Sequence, residues 1–348
     1  SQVGLILLMF QIGLEFDFSH LAVRKNRTAV IRIAAAGMFF PFILGLVFGY
    51  YSAPLLSPNA NPTASALFTA TAFSITALPI LGRIMMEFEM TRTSIGVIAI
   101  SAAAINDVIG WLLLAVVTAL TLANFSAGDF IFKIGLLAVY IAVCWGIVRP
   151  IFRRIIRKST LAEEKLPANL LGLILAAIFV SGMATYQIGI FAIFGGFMMG
   201  VLLHDQYELV RAWKKKVGGF VTVFFMPIFF TYTGLRTDIG GLDSATLWGW
   251  CFLLIALATL GKFGGCYLAA RWSNMNHQES KIIGIMMNTR ALMELIVINV
   301  GYDLGVISQN VFTMLVLMAI VSTVITTPGL RRWLPMVGIP IPANRVVE

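Results

Sequence analysis

The chain has 348 residues, 59% of them hydrophobic and only 12% charged, against roughly 25% charged in a soluble domain. That excludes an ordinary soluble globular protein. The formal charge of +9 sits in short loops between apolar runs, which fits membrane topology rather than nucleic-acid binding.

Eleven apolar segments follow one another, at about 2–18, 28–51, 63–87, 94–122, 130–148, 169–186, 188–203, 217–235, 245–270, 280–302 and 309–330. Most are of the length that spans a bilayer as helix, so the fold class is an all-α polytopic membrane protein. Serine stands first and the chain opens inside an apolar run, with no signal-peptide pattern; one or two helices are expected to precede it. The split between the sixth and seventh segments is placed at "TYQIGI". Between the fifth and sixth, "RPIFRRIIRKSTLAEEKLP" reads as a basic amphipathic linker on the cytoplasmic membrane surface. Three cysteines (Cys144, Cys251, Cys266) lie inside apolar runs, with neither metal-ligand nor disulfide spacing. No phosphate loop, paired-histidine motif or nucleophile elbow occurs, so the sequence indicates neither an enzyme nor a bound cofactor.

Alternate loops are basic: "HLAVRKNR", then Arg83 and Arg92, Arg149 to Lys165, Arg211 with Lys214 to Lys216, Arg271 and Lys281, and Arg331 with Arg332. The intervening loops are nearly free of Lys and Arg. This positive-inside bias puts the C-terminus in the cytoplasm. "FQIGLEFDFSHL" (10–21) is echoed by "FTYTGLRTDIGGL" (230–242), at the ends of segments seven spans apart. An odd displacement makes the copies antiparallel, an inverted repeat of the kind that builds secondary transporters around a midplane site. The expected organisation is one transmembrane domain: 1–148 as the first half with its connecting helix, 149–168 as linker, 169–335 as the second half and 336–348 as a cytoplasmic tail.

Four places carry polar chemistry at membrane depth. Asn106 and Asp107 lie mid-way along the fourth segment, about 20 Å from either end at 1.5 Å per residue. Asp107 reads as a switchable site, protonated or ionised with a bound cation, or else as a neutral acid bonded to a neighbouring helix. Asn106 offers an amide oxygen to a cation, or an interhelical hydrogen bond. In "TASALFTATAFSITALPILGRIMM", Pro79 is expected to break the helix and free carbonyls near Ile75 and Thr76. With Ser74 and Thr76 these are hard oxygen ligands suited to Na+ or K+; the alternative is an ordinary proline kink. Lys262 lies too deep to reach the cytoplasmic surface, and pairing with Asp107 is the economical expectation beside a purely structural contact. Arg290 and Glu294, at i and i+4, are expected to pair along one helix face. Glu15, near the cytoplasmic end of the first segment, reads as lining an entrance or facing interfacial water.

"LMFQIGLEFD", "SITALPILGRIMMEFEM", "SAAAINDVIGWLLLA", "GKFGG" and "NTRALMELIVINVGYDLGVIS", in that order, resemble the cation:proton antiporter-2 family, with bacterial Na+/H+ antiporters and plant cation/H+ exchangers nearest. The resemblance covers essentially the whole chain. It implies an inverted-repeat antiporter fold with two crossed discontinuous helices, here the third and tenth segments, and a core domain beside a panel domain that forms a homodimer. It implies that proton and cation compete for Asp107 of the Asn-Asp motif, with Lys262 as the core lysine, in an elevator-like alternating-access cycle. Many relatives carry Asp-Asp where this chain has Asn-Asp, and several append a cytoplasmic regulatory domain.

The expected function is therefore secondary antiport of a monovalent cation (Na+, or K+ or Li+) against H+ in the cell membrane. The transported ions and the lipid bilayer are its partners. A potassium efflux channel and a sodium-coupled organic-anion symporter are the alternatives.

Overall fold

The computed structural model describes residues 2–14, 27–90, 93–122, 127–158, 166–189, 191–290 and 292–341. These form α1 (Gln2–Leu14), α2 (Arg27–Leu56), α3 (Pro62–Ser74), α4 (Leu78–Glu87), α5 (Ser94–Leu122), α6 (Ala127–Val143), α7 (Arg149–Lys158), α8 (Ala168–Gln187) and α9 (Ala192–Leu203). They continue as α10 (Tyr207–Trp213), α11 (Met226–Arg236), α12 (Ala245–Thr259), α13 (Gly265–Trp272), α14 (His277–Met287), α15 (Leu292–Asp303), α16 (Gln309–Val324) and α17 (Thr326–Trp333). Among the described residues, helix runs through each of the eleven apolar segments. Among the same described residues, six helical stretches are by themselves long and apolar enough to cross a membrane, and two bent pairs, with bends of 48° and 44°, raise that to eight. The chain is a multi-span integral membrane protein. Glu15, the loop "HLAVRKNR" up to Asn26, and the end of the tail from 342 lie outside the described residues.

Polar residues mark several helix starts. Asn61 accepts the N–H groups of Thr63 and Ala64 ahead of Pro62. Asn276 and Glu279 form a reciprocal capping box for α14, satisfying two backbone donors that no helical carbonyl can reach. The third and tenth segments are both broken. α3 stops at Ser74 and α4 begins at Leu78, with Ile75 extended between them; α14 stops at Met287 and α15 begins at Leu292.

Two expectations change here. Pro79 does not kink a running helix: it sits in the first turn of α4, where its missing N–H is no loss, and the helix before it has already ended at Ser74. The fifth segment does not stop at 148. It passes through a wider π turn at Cys144–Val148 into α7, so the linker read over 149–168 begins as helix.

The chain divides into two compact units, one of Ser1–Asp17 with Ala115–Leu235 and one of Phe18–Leu114 with Arg236–Glu348. In the first, α1 packs on α9 and α9 on α8. Their axes come so close that a Cβ on Gly200 would lie 2.2 Å from the Phe10 carbonyl, and one on Gly13 2.4 Å from the Phe197 carbonyl. Backbone at this range is what small residues permit between membrane helices. Ser181 Oγ on α8 donates to the Gly195 carbonyl at 2.9 Å, and Asp205 takes both Arg149 and Arg153.

In the second unit α2 lies along α3 and α13, α12 along α16, and α14 along α17. Ile33, Leu81, Met85, Ile282 and Met286 are fully buried within one apolar cluster.

Gly200→Ala should destabilise the detergent-purified protein by about 1–3 kcal/mol through overpacking against backbone. Gly219→Ala, where nothing lies within 4 Å, should leave the thermal unfolding midpoint unchanged or slightly higher; comparing the two midpoints checks this.

Candidate functional site

The two helix breaks meet. Ala77 N–H donates to the Thr289 carbonyl at 3.1 Å, and Thr76 Oγ1 donates to the Met287 carbonyl at 3.4 Å. Each break thus satisfies part of the other's backbone, which a membrane interior requires because no water is there to do it.

The last carbonyls of α3 are taken by two buried cations. Arg290, which stands in the second break, donates from Nη1 to Ala72 O at 2.9 Å and from Nη2 to Phe73 O at 2.8 Å. It also reaches Ala258 O at 3.3 Å. Lys262 Nζ donates to Ser74 O and, at 2.8 Å, to Gly37 O on α2. A helix C-terminus carries about half a negative charge on its unbonded carbonyls, so both cations lie where the backbone is most negative. Lys262 is placed by a π turn, Leu260–Gly264, between α12 and α13. Such an extra residue in a helix re-aims a side chain, often at a functional site. Glu294, in the first turn of α15, completes the expected pair with Arg290 at 3.3 Å. Arg290, Glu294 and Lys262 are all fully buried.

Ser74 and Thr76 are buried beside this crossing, but their hydroxyls already have backbone partners. Ser74 Oγ donates to Ala70 O at 2.8 Å and to Met38 O at 3.2 Å.

Asp107 and Asn106 are the contrast. Asp107 is 2% exposed and Asn106 0%. Neither carboxylate oxygen of Asp107, and neither amide atom of Asn106, has a hydrogen-bond partner. The Leu78 N–H, at the N-terminal end of α4, faces the carboxylate without closing a bond. A narrow crevice runs past Asp107 between Ile75, Gly110, Trp111, Met293 and Val297, so the first break and α15 both border it.

The expected Asp107–Lys262 pair is not formed: the ammonium is held by two backbone carbonyls instead. Bare carbonyls attract an ammonium as strongly as their own lack of partners demands, and a sequence gives no sign of them. Asn288, inside the tenth apolar segment, also has both amide atoms buried without a partner. Its signal was the polar triplet Asn288-Thr289-Arg290 inside an apolar run, which marks the break without a proline. Asn299, farther along α15, is held by Arg236 at 3.0 Å, and Arg236 pairs with Asp303 at 2.7 Å.

A membrane protein with two broken helices bonded to each other at their breaks, cations on the exposed carbonyls and an unpaired carboxylate beside them has the makings of an ion carrier. The sodium/hydrogen exchanger transmembrane model matches residues 1–335, and the chain belongs to that family. It is 39% identical over 330 residues to the Na(+)/H(+) antiporter NhaS4 of Synechocystis sp., covering 94% of this chain and 80% of that one. It is 36% identical to cation/H(+) antiporter 18 of Arabidopsis thaliana and 29% identical to K(+)/H(+) antiporter 1 of Saccharomyces cerevisiae. Each of these matches covers 94% of this chain but only 40% and 38% of the relative's length. In fold it resembles the sodium proton antiporter MjNhaP1 of Methanocaldococcus jannaschii, with a TM-score of 0.63 at 13% identity, over 98% of this chain and 85% of that one.

Arg290→Ala would leave the Glu294 carboxylate and the Ala72 and Phe73 carbonyls buried without their donor, and should cost about 3–5 kcal/mol. Arg290→Lys should fall between the two, because an ammonium cannot fork across adjacent acceptors. Thermal unfolding of the three purified proteins gives the order.

Proposed function

We propose that this protein exchanges a monovalent cation for protons as a secondary antiporter, with H+ and the cation competing at Asp107. One observation carries the reading: a fully buried carboxylate stands unpaired while both nearby cations are held by backbone carbonyls and Glu294. A carboxylate so placed must take up either a proton or a cation, since an isolated ion at low dielectric is costly. Asn106 adds a neutral oxygen to the same place. Lys262 and Arg290 are supporting charges that hold the helix ends in register around it, and Pro79 starts the helix whose N-terminus faces it.

Alternating access moves the site between the two sides of the membrane, so that inward H+ drives cation efflux. The names of the relatives, Na+/H+ and K+/H+ antiporters, support the ion class. The crevice beside Asp107 is narrow and apolar apart from that carboxylate and the Trp111 ring, which favours a bare small ion over an organic anion. Homodimerisation, a cell-membrane location and a cytoplasmic C-terminus belong to the same proposal, the last resting on the basic loops.

In sealed vesicles, wild-type protein should move protons when Na+, K+ or Li+ is added, and Asp107→Asn should abolish that flux while the protein remains folded. Persistence of exchange at the wild-type rate would sink the assignment. Current without coupled proton movement would identify a channel instead.

A further inference from the structure

α2 runs unbroken from Arg27 to Leu56 with Pro41 inside it. A helical carbonyl at position i is bonded by the N–H at i+4, and proline has none. The carbonyl without a helical donor is therefore that of Gly37. That oxygen receives Lys262 Nζ, at 2.8 Å, in a fully buried setting. The neighbouring Met38 carbonyl, one residue on, also takes a donor from outside the helix, Ser74 Oγ at 3.2 Å.

The surfaces are cut to match. A Cβ on Gly261, the residue before the lysine, would lie 2.9 Å from Pro41 Cα, so the π turn can approach the proline only without a side chain there. A Cβ on Gly37 would come 2.7 Å from Cys266 Sγ and 3.3 Å from Asn106 Nδ2. Gly37 thus lies against Asn106 of α5 on one side and holds Lys262 with its carbonyl.

We infer that Pro41 and Gly37 are positioning residues for Lys262: the proline withdraws a helical donor, and the freed Gly37 carbonyl becomes the seat that keeps the ammonium on the end of α3. The importance of that seat for transport rests on the reading of Asp107 given above; the seat itself does not. Restoring an N–H at position 41 gives Gly37 O a donor of its own and draws the oxygen away from Lys262.

Pro41→Ala tests this with a combination of effects that simple damage cannot produce. Alanine is far better than proline in a helix interior, so the thermal midpoint in detergent should hold or rise. Exchange in vesicles should nevertheless slow about three- to tenfold, the worth of one weakened hydrogen bond, with a displaced pH profile. A wild-type rate and pH profile would overturn the inference. A second measurement needs no transport at all. Pro41→Ala should raise the midpoint more in a Lys262→Met background than in the wild type, because only the wild type loses the lysine contact. Equal effects in the two backgrounds, of either sign, would also overturn it. A wild-type protein that exchanged no ions would defeat the antiport reading alone, and the thermal comparison would still decide the seat.

Discussion

An unpaired backbone carbonyl far from water is the liability around which this protein is organised. A membrane-spanning helix ordinarily hides every carbonyl but the last few, and those reach the interface. Here α3 ends at Ser74 in the interior, and three carbonyls in succession, Ala72, Phe73 and Ser74, need donors. Neutral donors would satisfy them; the chain uses an arginine and a lysine. Charge-assisted bonds are about twice as strong as neutral ones, and two cations at a helix C-terminus also oppose the field of its aligned peptides.

That arrangement determines what Asp107 can be. Were Lys262 free, an ion pair with the aspartate would close the site against any other partner. With the ammonium seated on Gly37 and Ser74, the lysine contributes its field at Asp107 without occupying its oxygens. The N-terminal end of α4, which presents the Leu78 N–H, adds to that field. The carboxylate thus lies near positive charge with both oxygens still without a hydrogen-bond partner. Glu294 shows the opposite outcome: its contact with Arg290 ties it into the scaffold.

The sequence made some of this legible and left other parts dark. The helical apolar segments, the break in the third of them and the buried acid could be read because hydropathy, prolines and stray polar residues in apolar runs have direct physical meanings, whereas the break in the tenth followed from the family resemblance alone. The Arg290–Glu294 pair could be read because i and i+4 spacing is local. Lys262 is buried, as a lysine inside an apolar run implies, but opposite charge points to Asp107 as its partner, whereas its acceptors are carbonyls of Gly37 and Ser74, far away in sequence and identical to every other carbonyl on paper. Pro79 drew attention by its proximity to Thr76, although the helix had already ended before it. Pro41 drew none, since a proline in a long apolar helix looks like a tolerated kink until its i−4 carbonyl is traced to a partner. The π turns at 144–148 and 260–264 leave no mark in composition at all, because they change how a helix winds and not what it contains.

The mutual bonding of the two breaks also bears on how such a protein can change over generations. Residues 76 and 77 are matched to 287 and 289 by position along the chain. An insertion of one residue in either break would offset both bonds and shift Arg290 off the carbonyls it holds. The lengths of the two interruptions can therefore drift only together. Segments more than two hundred residues apart are in this sense inherited as a single part.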